Sequence, residues 1–246
     1  MTNNIDTFNL KYYTGVGSRD TPVLHLVVMA LLARELKEKY ILRSGEAAGA
    51  DYAFSYGSEG EGELFLPWKG FRKSPSNYYL DNMSKEMVSQ AREICMHPDV
   101  TPWLSNMKPP AQALHTRNVF QVLGPELKVE DKSDFVVCYT KNGETTKEEC
   151  TNDTGGTATA IKVANLYSVR VYNIGRKDHF DRIMKMVSKN PRFYNDAREI
   201  MWDWMKINKS ITVEKEKNMK DFTVDDAKKA LSVLQQYRSN NLEPSV

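Results

Sequence analysis

Five short apolar runs along the chain have the residue preferences of β-strands, and stretches with helical periodicity separate them. The strand candidates are Lys11–Val16, Tyr40–Arg43, Glu63–Leu66, Asp134–Tyr139 and Val169–Ile174. Four further stretches between them have helical spacing of apolar residues: Ala50–Tyr56, Asp81–Ile94, Pro110–Leu123 and Thr157–Leu166. This alternation predicts an α/β fold in which a parallel sheet is flanked by helices.

The clearest helical pattern is "TPVLHLVVMALLARELKEKY", which follows the first strand candidate. Its apolar residues recur at helical spacing. We predict Thr21 as the N-cap and Pro22 as the first helical residue, because proline suits the position where the amide N–H is not needed.

Three stretches depart from the alternation. The segment 68–110 contains five prolines and is too long for a simple crossover, which predicts a partly irregular flap with one helix. A charged insertion, "KNGETTKEECTND", follows the fourth strand candidate. The chain beyond Asp181 is helical in pattern, with a last amphipathic helix over Phe222–Tyr237. We therefore expect a domain at 10–180 and a C-terminal helical extension at 181–246.

Composition restricts the function classes. The chain has 246 residues, 41% of them apolar, and a formal charge of +2, so the basic field of a nucleic-acid-binding protein is missing. No signal core and no run of eighteen apolar residues occurs, which leads us to expect a cytoplasmic protein without a membrane partner. Three cysteines without CxxC spacing and four scattered histidines predict neither a metal site nor a disulfide framework, and no motif calls for a cofactor.

Glycines gather where three of the predicted strands end. They are Gly15 and Gly17 after the first strand, Gly45 and Gly49 after the second, and Gly155 and Gly156 after the fourth. Hydroxyl donors stand beside them at Ser18, Ser44, Thr154 and Thr157. Such loops suit phosphate, because backbone N–H groups and helix N-termini meet at this edge of a parallel sheet. "GVGSRD" lacks the third glycine of the dinucleotide fingerprint, and the second strand ends in Arg43-Ser44 without an acidic residue, so a standard NAD dehydrogenase is not indicated.

Five segments, in order, resemble the SLOG superfamily of Rossmann-like domains: "GVGSRDTP", "LRSGEAAGAD", "LFLPW", "ALHTRNVFQVLG" and "TGGTATAIKVAN". That superfamily contains the DNA-processing protein A family, the Lonely Guy phosphoribohydrolases and stand-alone nucleotide binders. The resemblance covers roughly Lys11 to Ile174 and leaves out the flap and the helical tail. It implies a Rossmann-like sheet, and such domains commonly form homodimers or higher oligomers.

The resemblance also implies a nucleotide-type ligand across the strand ends. Gly17, Ser18 and Arg19 would form one wall. The other wall would be Ser44, Gly45, Gly49 and Asp51, and Gly155, Gly156 and Thr157 would cradle phosphate. Arg117 and Asn118 would come from the preceding helix, the guanidinium pairing with a phosphate or a carboxylate. Trp68, after the third strand, could stack on a base.

One departure from the family bears on catalysis. Lonely Guy enzymes carry a glutamate in the motif that corresponds here to Thr154–Ile161, and this chain has none there. A substitute carboxylate could come from Glu46, Asp51, Asp153 or the 144–149 insertion. The leading hypothesis is therefore a binding protein: a sensor, carrier or sequestering protein. The alternatives are a nucleoside 5′-monophosphate N-glycosidase (phosphoribohydrolase) and a single-stranded DNA-processing protein, the last disfavoured by the near-neutral charge.

Overall fold

The computed structural model describes residues 11–76, 78–210 and 222–242. These residues form one six-stranded sheet in which every pair of neighbouring strands is parallel. The strands are β1 (Tyr12–Gly15), β2 (Ile41–Ser44), β3 (Glu63–Leu66), β4 (Tyr78–Tyr79), β5 (Phe135–Cys138) and β6 (Arg170–Asn173), in the order β4-β3-β2-β1-β5-β6. The predicted α/β, Rossmann-like architecture is confirmed.

Eight α-helices in the described residues cover both faces of the sheet. On one face lie α1 (Val23–Leu36), α2 (Ala50–Gly57), α6 (Lys177–Val187), α7 (Phe193–Ser210) and α8 (Val224–Leu242). On the other lie α3 (Lys85–Cys95), α4 (Pro109–Leu123) and α5 (Thr157–Leu166). Alternation along β5 supplies both cores: Val136 and Cys138 pack under α3–α5, and Val137 packs under α1, as the two-residue period of a strand requires.

The helical extension belongs to the same hydrophobic core as the sheet. The α1 helix has nine buried residues among fourteen, because it packs against α2 and α6 and is covered by α7 and α8. This explains why α1 is apolar nearly all round. The expected boundary at 180/181 falls inside α6.

Three local predictions differ from the structure. Pro22, not Thr21, is the N-cap of α1: its backbone is extended, and the Thr21 hydroxyl instead donates to the carbonyl of Ser18 at 2.7 Å. The helix predicted from Asp81 begins at Lys85, because Ser84 caps it by accepting the N–H of Met87. The pattern also missed β4, which has two residues and pairs with β3 at the sheet edge.

Within the described ranges, no helix combines the length and the apolar character needed to cross a membrane.

Candidate functional site

The order of the strands creates a switch point between β1 and β5. The chain moves outward from β1 to β4 and then returns to β5 on the other side of β1. The loops that follow β1 and β5 meet there: the N–H of Ser18 donates to the carbonyl of Tyr139 at 3.1 Å. A Cβ on Gly17 would lie 3.0 Å from the amide nitrogen of Tyr139. Open α/β sheets bind ligands at such a point, outside the carboxyl ends of the strands.

The loop after β2 packs on the loop after β1. The N–H of Ala50 donates to the carbonyl of Ser18 at 3.3 Å, and a Cβ on Gly49 would lie 2.8 Å from that same oxygen. The loops after β1 and β2 are therefore closed against each other, and the loop after β1 is bonded to the end of β5.

Arg117 and Asp51 form a buried ion pair beneath these loops. The Arg117 Nη1 atom lies 3.1 Å from Asp51 Oδ2, and the two side chains are only 5% and 4% exposed. Asp51 also accepts the N–H of Gly17 at 3.2 Å. A Cβ on Gly45 would lie 1.5 Å from Arg117 Nη1, so glycine is required there. Burial raises the pKa of Asp51, and the Arg117 guanidinium opposes that rise.

Two of the predicted hydroxyl donors are used inside the protein. The Ser44 hydroxyl donates to the carbonyl of Gly15 at 2.7 Å, and the Thr154 hydroxyl donates to Glu144 Oε1 at 3.0 Å. Gly15 itself lies against Phe54, whose ring would be 2.5 Å from a Cβ. These residues therefore hold the strand ends together through contacts inside the protein.

Gly155, Gly156 and Thr157 form what we call the glycine ledge, at the N-terminus of α5. Both glycines are exposed, and a Cβ on either would meet no atom within 4 Å. Asn118 reaches the ledge from α4: its Nδ2 donates to the carbonyl of Gly156 at 2.9 Å. In the described part of the chain, the N–H groups of Gly156 and Thr157 have no hydrogen-bond acceptor. The two glycines are thus open to solvent, whereas Thr157 is only 7% exposed. The positive end of the α5 dipole lies at this point.

Arg19 is exposed in the loop after β1 and takes part in no ion pair among the residues described. The hydroxyl of its neighbour Ser18 accepts the N–H of Asp20 at 3.1 Å. Arg19 is therefore a cation available at the switch point.

Glu46 lies in the loop after β2 with a left-handed backbone, φ 56°. Its Oε1 atom is shielded from solvent and has no hydrogen-bond partner. Burial raises the pKa of this carboxyl, and the nearby Asp51 raises it further, whereas the Ser55 hydroxyl and the guanidinium groups of Arg72 and Arg117 lower it. A non-glycine residue with strained backbone and an unpaired buried carboxyl oxygen is typical of functional sites.

Trp68 follows β3 and is 37% exposed. Its ring makes an edge contact with Phe71, with 5.2 Å between the ring centroids. Part of the indole thus remains exposed after the end of β3.

Two residues near the ledge were not singled out individually by the sequence analysis. His115, one helical turn before Asn118 on α4, places its Nδ1 atom 2.6 Å from the Thr159 hydroxyl in the first turn of α5. Burial lowers the pKa of His115, and Arg117 lowers it further. Glu144, which the sequence analysis named only within the 144–149 insertion as a possible source of a substitute carboxylate, is 4% exposed and contacts Thr154. The i,i+3 spacing of His115 and Asn118 was the available signal for the first, while no local signal marks the second.

Two concave regions lie away from the ledge. One, of about 70 Å³, lies near the amino ends of β2 and β3 and includes Tyr13 and Tyr40. The other, of about 400 Å³, is in the flap around Leu80 and Arg92. The described residues contain no group of three or more metal-ligating side chains. Neither concave region includes a residue of the glycine ledge.

Comparisons with protein-family models, with curated proteins and with solved structures give no match to this chain.

Proposed function

We propose that this protein binds a nucleotide or a nucleotide-derived phosphate ligand at the carboxyl ends of its strands, as a sensor, carrier or sequestering protein. The observation that carries the proposal is the pair of N–H groups at Gly156 and Thr157 that lack acceptors within the described chain. They stand on an open ledge beside the switch point of the sheet. A phosphate there would accept both N–H groups and benefit from the dipole of α5.

Arg19 supports the same proposal. Its exposed guanidinium belongs to the loop after β1, which is fastened to the end of β5. Arg19 forms no ion pair with a carboxylate among the described residues, which leaves it open to pairing with a phosphate. A charge-assisted hydrogen bond from arginine would add to the binding.

The positions of the ledge and of Trp68 bear on the length of the ligand. They follow β5 and β3, which are separated by β1 and β2. Three spacings between neighbouring strands amount to about 14 Å. A ligand that used both would have to span more than a mononucleotide does, so dinucleotides belong among the compounds tested.

The test is calorimetric titration with nucleoside 5′-monophosphates, diphosphates, and linear and cyclic dinucleotides. We expect one class to bind and Gly156→Asp to abolish that binding, because a carboxylate would be forced against the phosphate. The fold should survive, since nothing lies within 4 Å of a Cβ at this position. The control is Val224→Asp, which adds the same charge at an exposed position in the first turn of α8, on the other face of the sheet. Unchanged affinity in Gly156→Asp would remove the phosphate from the ledge.

A second candidate function, nucleoside 5′-monophosphate N-glycosidase, is favoured by one observation, the unpaired Oε1 atom of Glu46. Burial raises the pKa of this carboxyl, which favours the protonated form that a general acid needs in order to protonate a departing base. Because Oε1 is shielded from solvent, this reaction requires the loop after β2 to move when substrate binds.

Chromatographic detection of free base after incubation with each nucleoside monophosphate separates the two functions. An enzyme would release base, and Glu46→Gln would stop the release while binding persists. A binding protein would return the nucleotide unaltered.

A further inference from the structure

The charged insertion after β5 is fastened to the domain over most of its length. The N–H of Lys147 donates to Asn165 Oδ1 at 2.7 Å, and Asn165 Nδ2 donates to the carbonyl of Thr145 at 3.1 Å. Lys147 also pairs with Asp99 at 2.9 Å. The insertion is therefore more than a solvated loop, although it contains neither α-helix nor strand.

Glu144 is the buried centre of the insertion. Its carboxylate accepts hydrogen bonds from the hydroxyls of Thr140 and Thr154 and from Asn142 Nδ2. Its N–H donates to the Thr140 hydroxyl oxygen at 3.1 Å, and its carbonyl accepts Asn173 Nδ2 at 2.7 Å. Burial by itself would raise the pKa of Glu144, but these donors outweigh burial and the pKa is lowered. The carboxylate is thus ionised at neutral pH and saturated with hydrogen bonds.

Through Thr154, this network reaches the glycine ledge. Thr154 is the residue directly before Gly155, and its hydroxyl donates to Glu144 at 3.0 Å. The same hydroxyl oxygen accepts the N–H of Thr151 at 2.9 Å. The start of the ledge is therefore held by Glu144, while its far side is held by Asn118 on the carbonyl of Gly156.

We propose that Glu144 is a positioning residue for anion binding at the ledge, an inference that rests on the proposed function. Two consecutive glycines with no atoms packed around them have wide conformational freedom. A ligand that had to order them would lose affinity to that entropy. Glu144, acting through Thr154, fixes the turn in advance, with the N–H groups of Gly156 and Thr157 left without acceptors in the described chain.

The first test needs no ligand. Hydrogen-exchange rates of the Gly156 and Thr157 amides are measured by NMR in the wild type, in Glu144→Gln and in Glu149→Gln. Glu149 is the matched control, since it is an exposed carboxylate of the same insertion that bonds Thr145 and Thr146 and does not contact Thr154. We expect faster exchange of the Gly156 and Thr157 amides in Glu144→Gln, and wild-type exchange in Glu149→Gln. Wild-type exchange in a folded Glu144→Gln variant overturns the inference.

The second test uses inorganic phosphate, followed by the amide shifts of Gly156 and Thr157. Thr154→Val, which removes the hydroxyl, should weaken phosphate binding about tenfold, and Thr154→Ser, which keeps it, should restore wild-type affinity. A generally destabilised domain would not show this rescue by serine. Equal affinities in the valine and serine variants contradict the role of Glu144.

The two proposals fail in different ways. If phosphate and the nucleotides leave the ledge amides of the wild type unshifted, the proposed function is wrong. The exchange comparison then still decides whether Glu144 orders the ledge.

Discussion

Gly45 shows how closely single residues are constrained beneath the strand ends. The Arg117 guanidinium occupies the space that a side chain at position 45 would need, and it does so in order to reach Asp51. A side chain at position 45 would separate Arg117 from Asp51, and a buried charge that loses its partner destabilises the folded protein.

We therefore expect Gly45→Ala to lower the free energy of unfolding by about 3 kcal/mol. The methyl group would displace the guanidinium and leave the Asp51 carboxylate without it. Urea denaturation followed by circular dichroism measures the change.

The matched control is Gly156→Ala. Position 156 has helical backbone angles, φ −61° and ψ −24°, and free space around a Cβ, so its stability should stay within about 0.5 kcal/mol of the wild type. Equal stability in both alanine variants would contradict the close packing of Arg117 on Gly45.

Individual contacts of this kind were only partly predictable. The motifs around Asp51 and Arg117 were recognised, but their pairing joins residues that are 66 positions apart, and no local pattern encodes such a partner. Likewise, nothing near Glu144 in the sequence indicates that this acid is buried while Glu148 and Glu149 are exposed. Burial is decided by packing against Asn173 and Thr154, which only the folded chain brings together.

Among the elements, α7 holds the extension to the rest of the domain. The Trp204 side chain is 1% exposed and meets Tyr56 of α2 edge-on, with 5.4 Å between ring centroids. The Tyr56 hydroxyl donates to Asp203 Oδ2 at 2.9 Å. By contrast, Trp202 is 60% exposed and has Lys206 over its ring.

Trp204→Ala should destabilise the protein by about 4 kcal/mol, since it leaves a cavity between α2 and α7. Trp202→Ala should change the stability by less than about 0.5 kcal/mol. Thermal unfolding of the two variants gives the comparison. Similar losses in both would mean that Trp202 is buried in an interface outside this chain.

Most of the strands and helices could be predicted from the sequence. The five predicted strands were all confirmed, since each is a short apolar run between helical patterns. The start of α1 and the start of α3 were misplaced, because the choice of cap depends on the backbone angles of Pro22 and on the hydrogen bond of Ser84. The β4 strand was missed because two residues carry no periodicity.

The stability of the whole molecule depends on pH through His25, which lies where α1, α6 and the end of β5 meet. Its ring lies 4.8 Å from that of Tyr139 and 5.0 Å from that of Phe180, measured between centroids. Burial lowers the pKa of His25 to about 4, although a backbone hydrogen bond with Ile174 raises it in part. The folded protein therefore keeps this imidazole neutral in mildly acidic solution.

The sign of the effect follows from proton uptake. Between pH 6.5 and about 4 the unfolded chain binds a proton that the native state does not, so stability falls as the pH falls through this window. The loss from this one residue amounts to about 3 kcal/mol. In His25→Phe this part of the loss should vanish. Urea midpoints at pH 7 and pH 4.5 measure it, and an identical acid dependence in both proteins would show that His25 is not its source.

The general location of the candidate site was predictable from topology, since parallel strands bring their carboxyl ends to one edge. What the sequence did not reveal is how the loops share that edge. The loops after β1 and β2 close on each other through Ser18, Gly49 and Ala50, which leaves the ledge at α5 as the open part. Which loops close on each other and which part of the edge stays open depends on backbone contacts between loops that are distant in sequence.

The burial of α1 under α7 and α8 also has a consequence for synthesis of the chain. The apolar α1 leaves the ribosome before the helices that shield it, which follow only after roughly 170 more residues have been joined, a delay on the order of 10 to 40 s at ordinary translation speeds. Throughout that interval the nascent polypeptide exposes an apolar surface that can aggregate. Its yield in a cell should accordingly depend on chaperones that bind near the exit tunnel.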